Sequence, residues 1–215
     1  MKLSTVEQLL TDFYGRPRPN SRESALATLI ATILSQNTSD TNSGRAYKSL
    51  RNKFRDWSAA AAARLTAIEK TIAPGGLAKT KAAYIHAALQ KVKQDFGEYS
   101  LESLKNWPVD KSLEYLTSFQ GVGHKTAACV LLFALHKKIM PVDTHIHRVS
   151  NRIGLVDNIN DREKTFEYYH CHKDINDYYS LHINLVRHGR GTCKASRPNC
   201  ENCILREICR FAGGK

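Results

Sequence analysis

Apolar residues along this chain recur at spacings of three and four far more often than they alternate. Leu26, Leu29, Ile30, Ile33 and Leu34 make one apolar helix face, behind a start signal at Asn20-Ser21. Leu65 to Ile72 predicts a short helix closed by Pro74-Gly75-Gly76, and Leu77 to Phe96 a longer one stopped at Gly97. Pro108 opens a segment carrying Leu113, Leu116 and Phe119, which breaks at Gly121-Val122-Gly123. Ala127 to Leu135 is apolar on nearly every side, the pattern of a buried central helix. Ile146, Val149 and Ile153 line a further helix, and Tyr178 to His188 predicts another. Ala59 to Ala63 is a good helix former rather than a linker. No run alternates with the period of a strand, and no internal repeat is visible. The pattern predicts an all-α chain of about ten short helices with a cysteine-rich tail.

Length changes this picture little, since 215 residues fit one domain or two small ones and bury an ordinary core. Charge changes it more. Lys and Arg total 32 against 20 Asp and Glu, a formal net charge of +12 that points toward a polyanionic partner. Arg187, Arg190, Lys194 and Arg197 cluster in or beside the cysteine tail, and Lys79, Lys81, Lys91 and Lys93 follow the Pro-Gly-Gly turn. An anionic membrane surface fits less well, because no basic amphipathic helix with exposed aromatics is evident. The longest uncharged apolar stretch, Ala127 to Leu135, is about half of what a bilayer requires. The first residues, Met1 to Glu7, lack the apolar run of a signal peptide. The expected location is therefore intracellular and cytoplasmic, nucleoid-associated in a prokaryote, where thiols stay reduced.

Four of the six cysteines fall in the spacing Cys193-x6-Cys200-x2-Cys203-x5-Cys209. Short loops cost little closure entropy, so four such thiols can converge on one centre. Structural zinc usually takes two Cys-x2-Cys knuckles, and only Cys200 and Cys203 form one here. A cubane cluster accepts four thiolates along one irregular coil. The spacing therefore favours a 4Fe-4S iron–sulfur cluster over zinc, with four unrelated thiols as the plain alternative.

Leu116 to Ala127 reads as a helix, a glycine hairpin and a second helix. Gly121 and Gly123 let the backbone approach another molecule closely, and amides at a helix N-terminus suit a phosphate oxygen. By itself such a pair is more often just a tight turn. Lys125 follows in the first turn of the second helix, where the helix dipole disfavours an ammonium and burial would disfavour it further. A neutral amine is a nucleophile able to form a Schiff base, whereas a solvated surface lysine is the bland reading. Asp143 is well suited to cap the following helix, and a cap carboxylate facing a cleft can also stabilise a cation or accept a proton. His145 and His147 are splayed apart on a helix, which argues against a His-x-His metal pair. Cys129 reads as a small buried hydrophobe, Cys171 has no assignable role, and Tyr168, Tyr169, Tyr178 and Tyr179 read as core.

Together these residues resemble the endonuclease III branch of the helix–hairpin–helix DNA glycosylases. Gly-Val-Gly-x-Lys at 121–125, Val-Asp-Thr-His at 142–145 and the terminal cysteine spacing occur in the family's order. Ile33 to Asp40 is similar to the family's early Leu-Ser-x-Gln-x-Thr-Asp segment, so the likeness runs from about Arg22 to Cys209. Three departures are visible: Phe119-Gln120 replaces the family's Leu-Pro, His124 stands where arginine is commoner, and a gapless alignment puts Asn37, not Gln36, where the family's gap-filling glutamine belongs.

The resemblance implies two helical lobes: a six-helix, helix–hairpin–helix lobe over 22–136, and a second lobe from 1–21 plus 137–215 that carries the cluster loop at 193–209. It implies a monomer that extrudes a damaged base from duplex DNA into a pocket between two helical domains. Lys125 would attack the anomeric carbon with help from Asp143, and the Schiff base would permit β-elimination at the abasic site. Gly121, Val122 and Gly123 would hold a phosphate, and Leu77 would enter the base stack as an apolar wedge. Gln36 or Asn37 would fill the space of the flipped base, a gapless alignment favouring Asn37. His145 would support the pocket, and Lys194 and Arg197 would reach phosphates. Cys193, Cys200, Cys203 and Cys209 would hold a 4Fe-4S cluster. The implied activity is a bifunctional glycosylase and apurinic/apyrimidinic lyase acting on oxidised or saturated pyrimidines in base excision repair. Its rivals are a mismatch-specific thymine or uracil glycosylase and a non-catalytic DNA-binding protein.

Overall fold

The computed structural model describes residues 3–19, 23–157, 159–172 and 174–213. The start signal at Asn20-Ser21 and the lobe boundary at Arg22 lie outside the described residues. In chain order, α1 (Leu3–Tyr14) precedes α2 (Ala25–Ser35), α3 (Asp40–Lys53), α4 (Trp57–Ala62), α5 (Leu65–Ile72), α6 (Ala78–Phe96), α7 (Val109–Thr117) and α8 (His124–Phe133). Then come α9 (Thr144–Ile153), α10 (Arg162–Cys171) and α11 (Tyr178–Gly191). Four short 3-10 turns complete the secondary structure, and no strand occurs among the described residues. No described helix is long and apolar enough to cross a membrane. The chain divides into two compact units, Ser21–Lys137, and Met1–Asn20 with Lys138–Lys215.

Within Ser21–Lys137, α2 is the central element and packs against α8, α3 and α6. Its apolar face, Leu26, Leu29, Ile30, Ile33 and Leu34, has no solvent exposure at all. The helix starts at Ser24, whose hydroxyl accepts from the Ala27 N–H at 3.3 Å and so satisfies one of the orphan amides of the first turn. α8 answers with a face as apolar: Ala127, Ala128, Val130 and Leu131 are fully buried. Among the described residues this unit holds seven α-helices where six were expected. The one not expected is α3, whereas α4 forms at the helix former Ala59 to Ala63 and is capped by Asp56, which accepts from the Ala59 N–H at 2.9 Å. α3 carries only a narrow buried stripe, Ser43, Ala46 and Leu50, which is why its pattern did not stand out.

The other unit is built on α11, which packs against α9 and α1. The Glu7 carboxylate of α1 accepts from the backbone amides of Asn176 and Asp177 and from Asn176 Nδ2, just ahead of α11. Asn184 Nδ2 donates to Gly15 O at 2.9 Å, a second tie between α11 and the chain just past the end of α1. α9 and α11 cross closely at Gly189, where a Cβ would come within 2.8 Å of the His145 Cβ. Tyr169 and Tyr178 are buried, and the Tyr169 hydroxyl bonds Ser150 Oγ at 2.8 Å.

Candidate nucleic-acid interface and catalytic residues

The turn between α7 and α8 needs its glycines for different reasons. Gly121 adopts φ +76°, and a Cβ there would fall 2.2 Å from the Tyr84 ring, so no side chain fits. Gly123 caps α8 in extended backbone, and a Cβ there would meet nothing within 4 Å. The open space at Gly123 is where an outside molecule could approach. Val122 corrects the expectation that all three residues present themselves. Its side chain is buried, and its N–H donates to Phe119 O at 3.1 Å. The donors left for an anion are those of the glycines and of the first turn of α8. Lys125 stands in that turn and is exposed. The partial burial expected for it is absent.

The C-terminal end of α2 meets this hairpin through Gln36. Gln36 Nε2 donates to Gly121 O at 2.9 Å and lies 3.3 Å from Thr126 Oγ1 on α8. Its neighbour Asn37 is exposed and left-handed at φ +50°. Leu77 is likewise left-handed, at φ +48°, and 57% exposed at the head of α6. A core leucine is thereby excluded. A large apolar side chain held out to solvent on a disfavoured backbone needs a reason beyond packing.

In the other unit, Asp143 caps α9 with one oxygen. Its Oδ1 accepts from His145 N at 2.9 Å and from Ile146 N at 2.8 Å. Cap and chemistry are therefore compatible in one half-buried carboxylate, because Oδ2 takes no part in the cap. His145 Nδ1 accepts from Arg148 Nη2 at 3.1 Å. His147 is buried, with Nδ1 on Thr165 Oγ1 and Nε2 on Ile159 O, so neither ring nitrogen is left for a metal.

Cys193, Cys200, Cys203 and Cys209 line one cavity together with Arg152 and His188, and none is in a disulfide. Burial pushes the Cys203 thiol up, and the thiols of Cys209, Cys193 and Cys200 push it in the same direction. Among the described residues no three His, Cys, Asp or Glu side chains are grouped to hold a single metal ion. Arg152 Nη1 donates to Cys193 Sγ at 3.4 Å, and Cys209 Sγ donates to Arg152 O at 3.4 Å. A donor set of four soft thiols around one space suits an iron–sulfur cluster.

Sequence reasoning missed Arg148 and Arg152, four apart on α9. Arg148 donates to Cys193 O and Gly189 O, and Arg152 to Lys194 O and Ala195 O. These bonds hold the start of the tail, where Lys194 and Arg197 are exposed and Arg197 is left-handed at φ +50°. Their i,i+4 spacing marks a shared helix face but not its acceptors, which are backbone carbonyls. A second miss is Lys81, counted above as surface charge: it is 1% exposed.

A glycine hairpin between two helices, in an all-α chain with a cysteine-lined cavity, defines a helix–hairpin–helix protein. Residues 30–170 match the HhH-GPD superfamily of base excision DNA repair proteins. Endonuclease III of Thermotoga maritima is 32% identical over 96% of this chain and 92% of its own length. A solved complex of endonuclease III with DNA superposes with a TM-score of 0.80 at 25% identity, over 98% of this chain and 94% of that one. A relative from Arabidopsis thaliana named as a DNA glycosylase is 36% identical over 84% of this chain, which spans 59% of that protein's length. The chain belongs to the HhH-GPD superfamily of base excision repair DNA glycosylases, in its endonuclease III family.

Proposed function

We propose that this chain is a bifunctional DNA glycosylase and apurinic/apyrimidinic lyase that removes oxidised or saturated pyrimidines from duplex DNA. The observation that carries the reading is Lys125, an exposed amine in the first turn of α8, behind a hairpin whose Gly123 is open to an incoming molecule. The relatives named endonuclease III support it.

The Lys125 Nζ lone pair bonds the anomeric carbon, and the glycosidic bond breaks with its electrons leaving on the base. Asp143 stabilises the positive charge on the sugar and accepts a proton from the attacking amine. Opening of the sugar ring gives the Schiff base. Loss of a proton from the adjacent sugar carbon then expels the 3′ phosphate. Gly121 and Gly123 position a backbone phosphate, Leu77 enters the stack, and Lys194 and Arg197 add phosphate contacts. Asn37 fills the vacated space, because the Gln36 amide is already bonded to the hairpin and Asn37 is exposed.

Cys193, Cys200, Cys203 and Cys209 would hold a 4Fe-4S cluster, which when bound would cross-link four points of the tail. The protein acts as a monomer inside the cell.

The test is incubation with duplexes bearing single defined lesions, with borohydride added. Wild type should trap on oxidised-pyrimidine and abasic duplexes. Lys125→Ala should lose trapping and nicking while keeping duplex affinity within a few-fold. A wild type that cleaves thymine or uracil opposite guanine but not oxidised pyrimidines would overturn the substrate class.

A further inference from the structure

Lys81 lies inside the Ser21–Lys137 unit, 1% exposed, with no carboxylate among its bonding partners. A buried ammonium is costly unless its hydrogens are taken. Here Nζ donates to Leu34 O at 2.7 Å and to Gly75 O at 2.9 Å. Leu34 O belongs to the last turn of α2, where helix carbonyls lack an intrahelical donor and the dipole is negative, so a cation is well placed. Gly75 O sits two residues before Leu77. The Lys81 backbone N–H donates to Leu77 O at 3.0 Å. One residue thus holds the turn on both sides of Leu77, across two consecutive left-handed positions, Gly76 at φ +68° and Leu77 at φ +48°.

The second anchor matters as much. Leu34 is two residues from Gln36 and three from Asn37, and Gln36 is itself bonded to Gly121 O. The end of α2 therefore joins the turn at Leu77, through Lys81, to the glycine hairpin, through Gln36. Burial also pushes the Lys81 ammonium toward the neutral form, and both of its bonds require it as a donor. Its enclosure excludes it as the attacking amine. A methionine of similar length would fill the space and leave both carbonyls without a donor.

We infer that Lys81 is a positioning residue that locks the Leu77 turn to the Asn37 end of α2, so that both segments enter a distorted duplex as one rigid unit. This rests on the reading of Leu77 and Asn37 as DNA-contacting residues given above.

The experiment uses the full chain and a duplex carrying 2-aminopurine beside a stable abasic-site analogue, whose fluorescence rises when the stack is opened. Lys81→Met should keep affinity for undamaged duplex, which phosphate contacts dominate. It should lose the fluorescence rise and slow single-turnover excision by about tenfold, a coupling of ordinary size for positioned groups. The double variant Lys81→Met/Leu77→Ala should be no slower than the slower single variant. A full fluorescence rise in Lys81→Met, or losses that multiply, would overturn the inference. Should Lys81→Met fail to fold, the pair Asn37→Ala and Leu77→Ala decides: less-than-multiplicative losses support a single unit, multiplicative ones refute it. Borohydride trapping of wild type on an abasic duplex is scored in parallel. Its absence would count against the lyase reading and leave the fluorescence comparison intact.

Discussion

The turn at Leu77 and the cysteine tail are both irregular backbone, yet they are held in different ways. Around Leu77 every anchor is supplied by the chain itself: Lys81 on Gly75 O and Leu34 O, and its own amide on Leu77 O. In the tail, Arg148 and Arg152 anchor the stretch from Gly189 to Ala195. Cys193 within that stretch and Cys200, Cys203 and Cys209 beyond it face a common cavity and are joined to one another by no disulfide. The first region is tied by one buried side chain to a distant helix end, whereas the second is tied by arginines at its start and by short turns of its own further on, such as Asn199 N–H to Thr192 O at 2.9 Å and Arg206 N–H to Cys203 O at 3.0 Å. A probe that must enter a base stack gains from rigidity, since ordering it at the moment of binding would cost affinity.

The largest expected effect tests whether the tail-bearing unit depends on its cysteines for everything. Asp143 lies in that unit, but its anchor is the backbone of α9. Asp143→Asn keeps a cap acceptor and should fold, while losing about 100- to 1000-fold in excision rate, the value of a preorganised electrostatic contact. Single-turnover kinetics with an unchanged melting curve would bear this out, and full activity would reduce Asp143 to a cap.

A middle-sized effect sharpens the contrast between the regions. Wild-type protein should bind about four iron atoms and show broad visible absorbance. Cys203→Ser should lose both, and hydrogen exchange should accelerate from about residue 196 onward while Gly75 to Lys81 keep their protection. Accelerated exchange around Leu77 would show that its anchors also need the cluster, and a colourless wild type with one zinc would replace the cofactor.

The smallest effect concerns charge alone. Replacing Lys194 and Arg197 together with alanine should lower the salt slope of duplex binding by about two units if each makes one phosphate contact. An unchanged slope would move the footprint off the tail.

What could be read from the sequence follows from how local each cause is. The α2 face was legible because five apolar residues at helical spacing can only be buried together, and they are. The hairpin was legible from two glycines, although the need for Gly121 comes from Tyr84, 37 residues earlier in the chain. Lys81 was misread because a lysine's destination depends on which carbonyls a distant helix end leaves without donors. Val122 was misread because its N–H is taken by a carbonyl within the same turn. Arg148 and Arg152 look like ordinary basic residues until the tail folds over α9. α10 was missed because its buried residues, Thr165, Phe166 and Tyr169, form only a narrow stripe among polar ones.

The central claim is that the amine of Lys125 becomes bonded to the sugar. The most direct measurement is to reduce the wild-type complex with borohydride on an abasic duplex, digest it, and locate the adduct by mass spectrometry. The account predicts a sugar remnant on the peptide containing Lys125, and none at Lys79, Lys81 or the tail lysine Lys194. An adduct on another amine, or a nicked strand with no adduct at all, would contradict it.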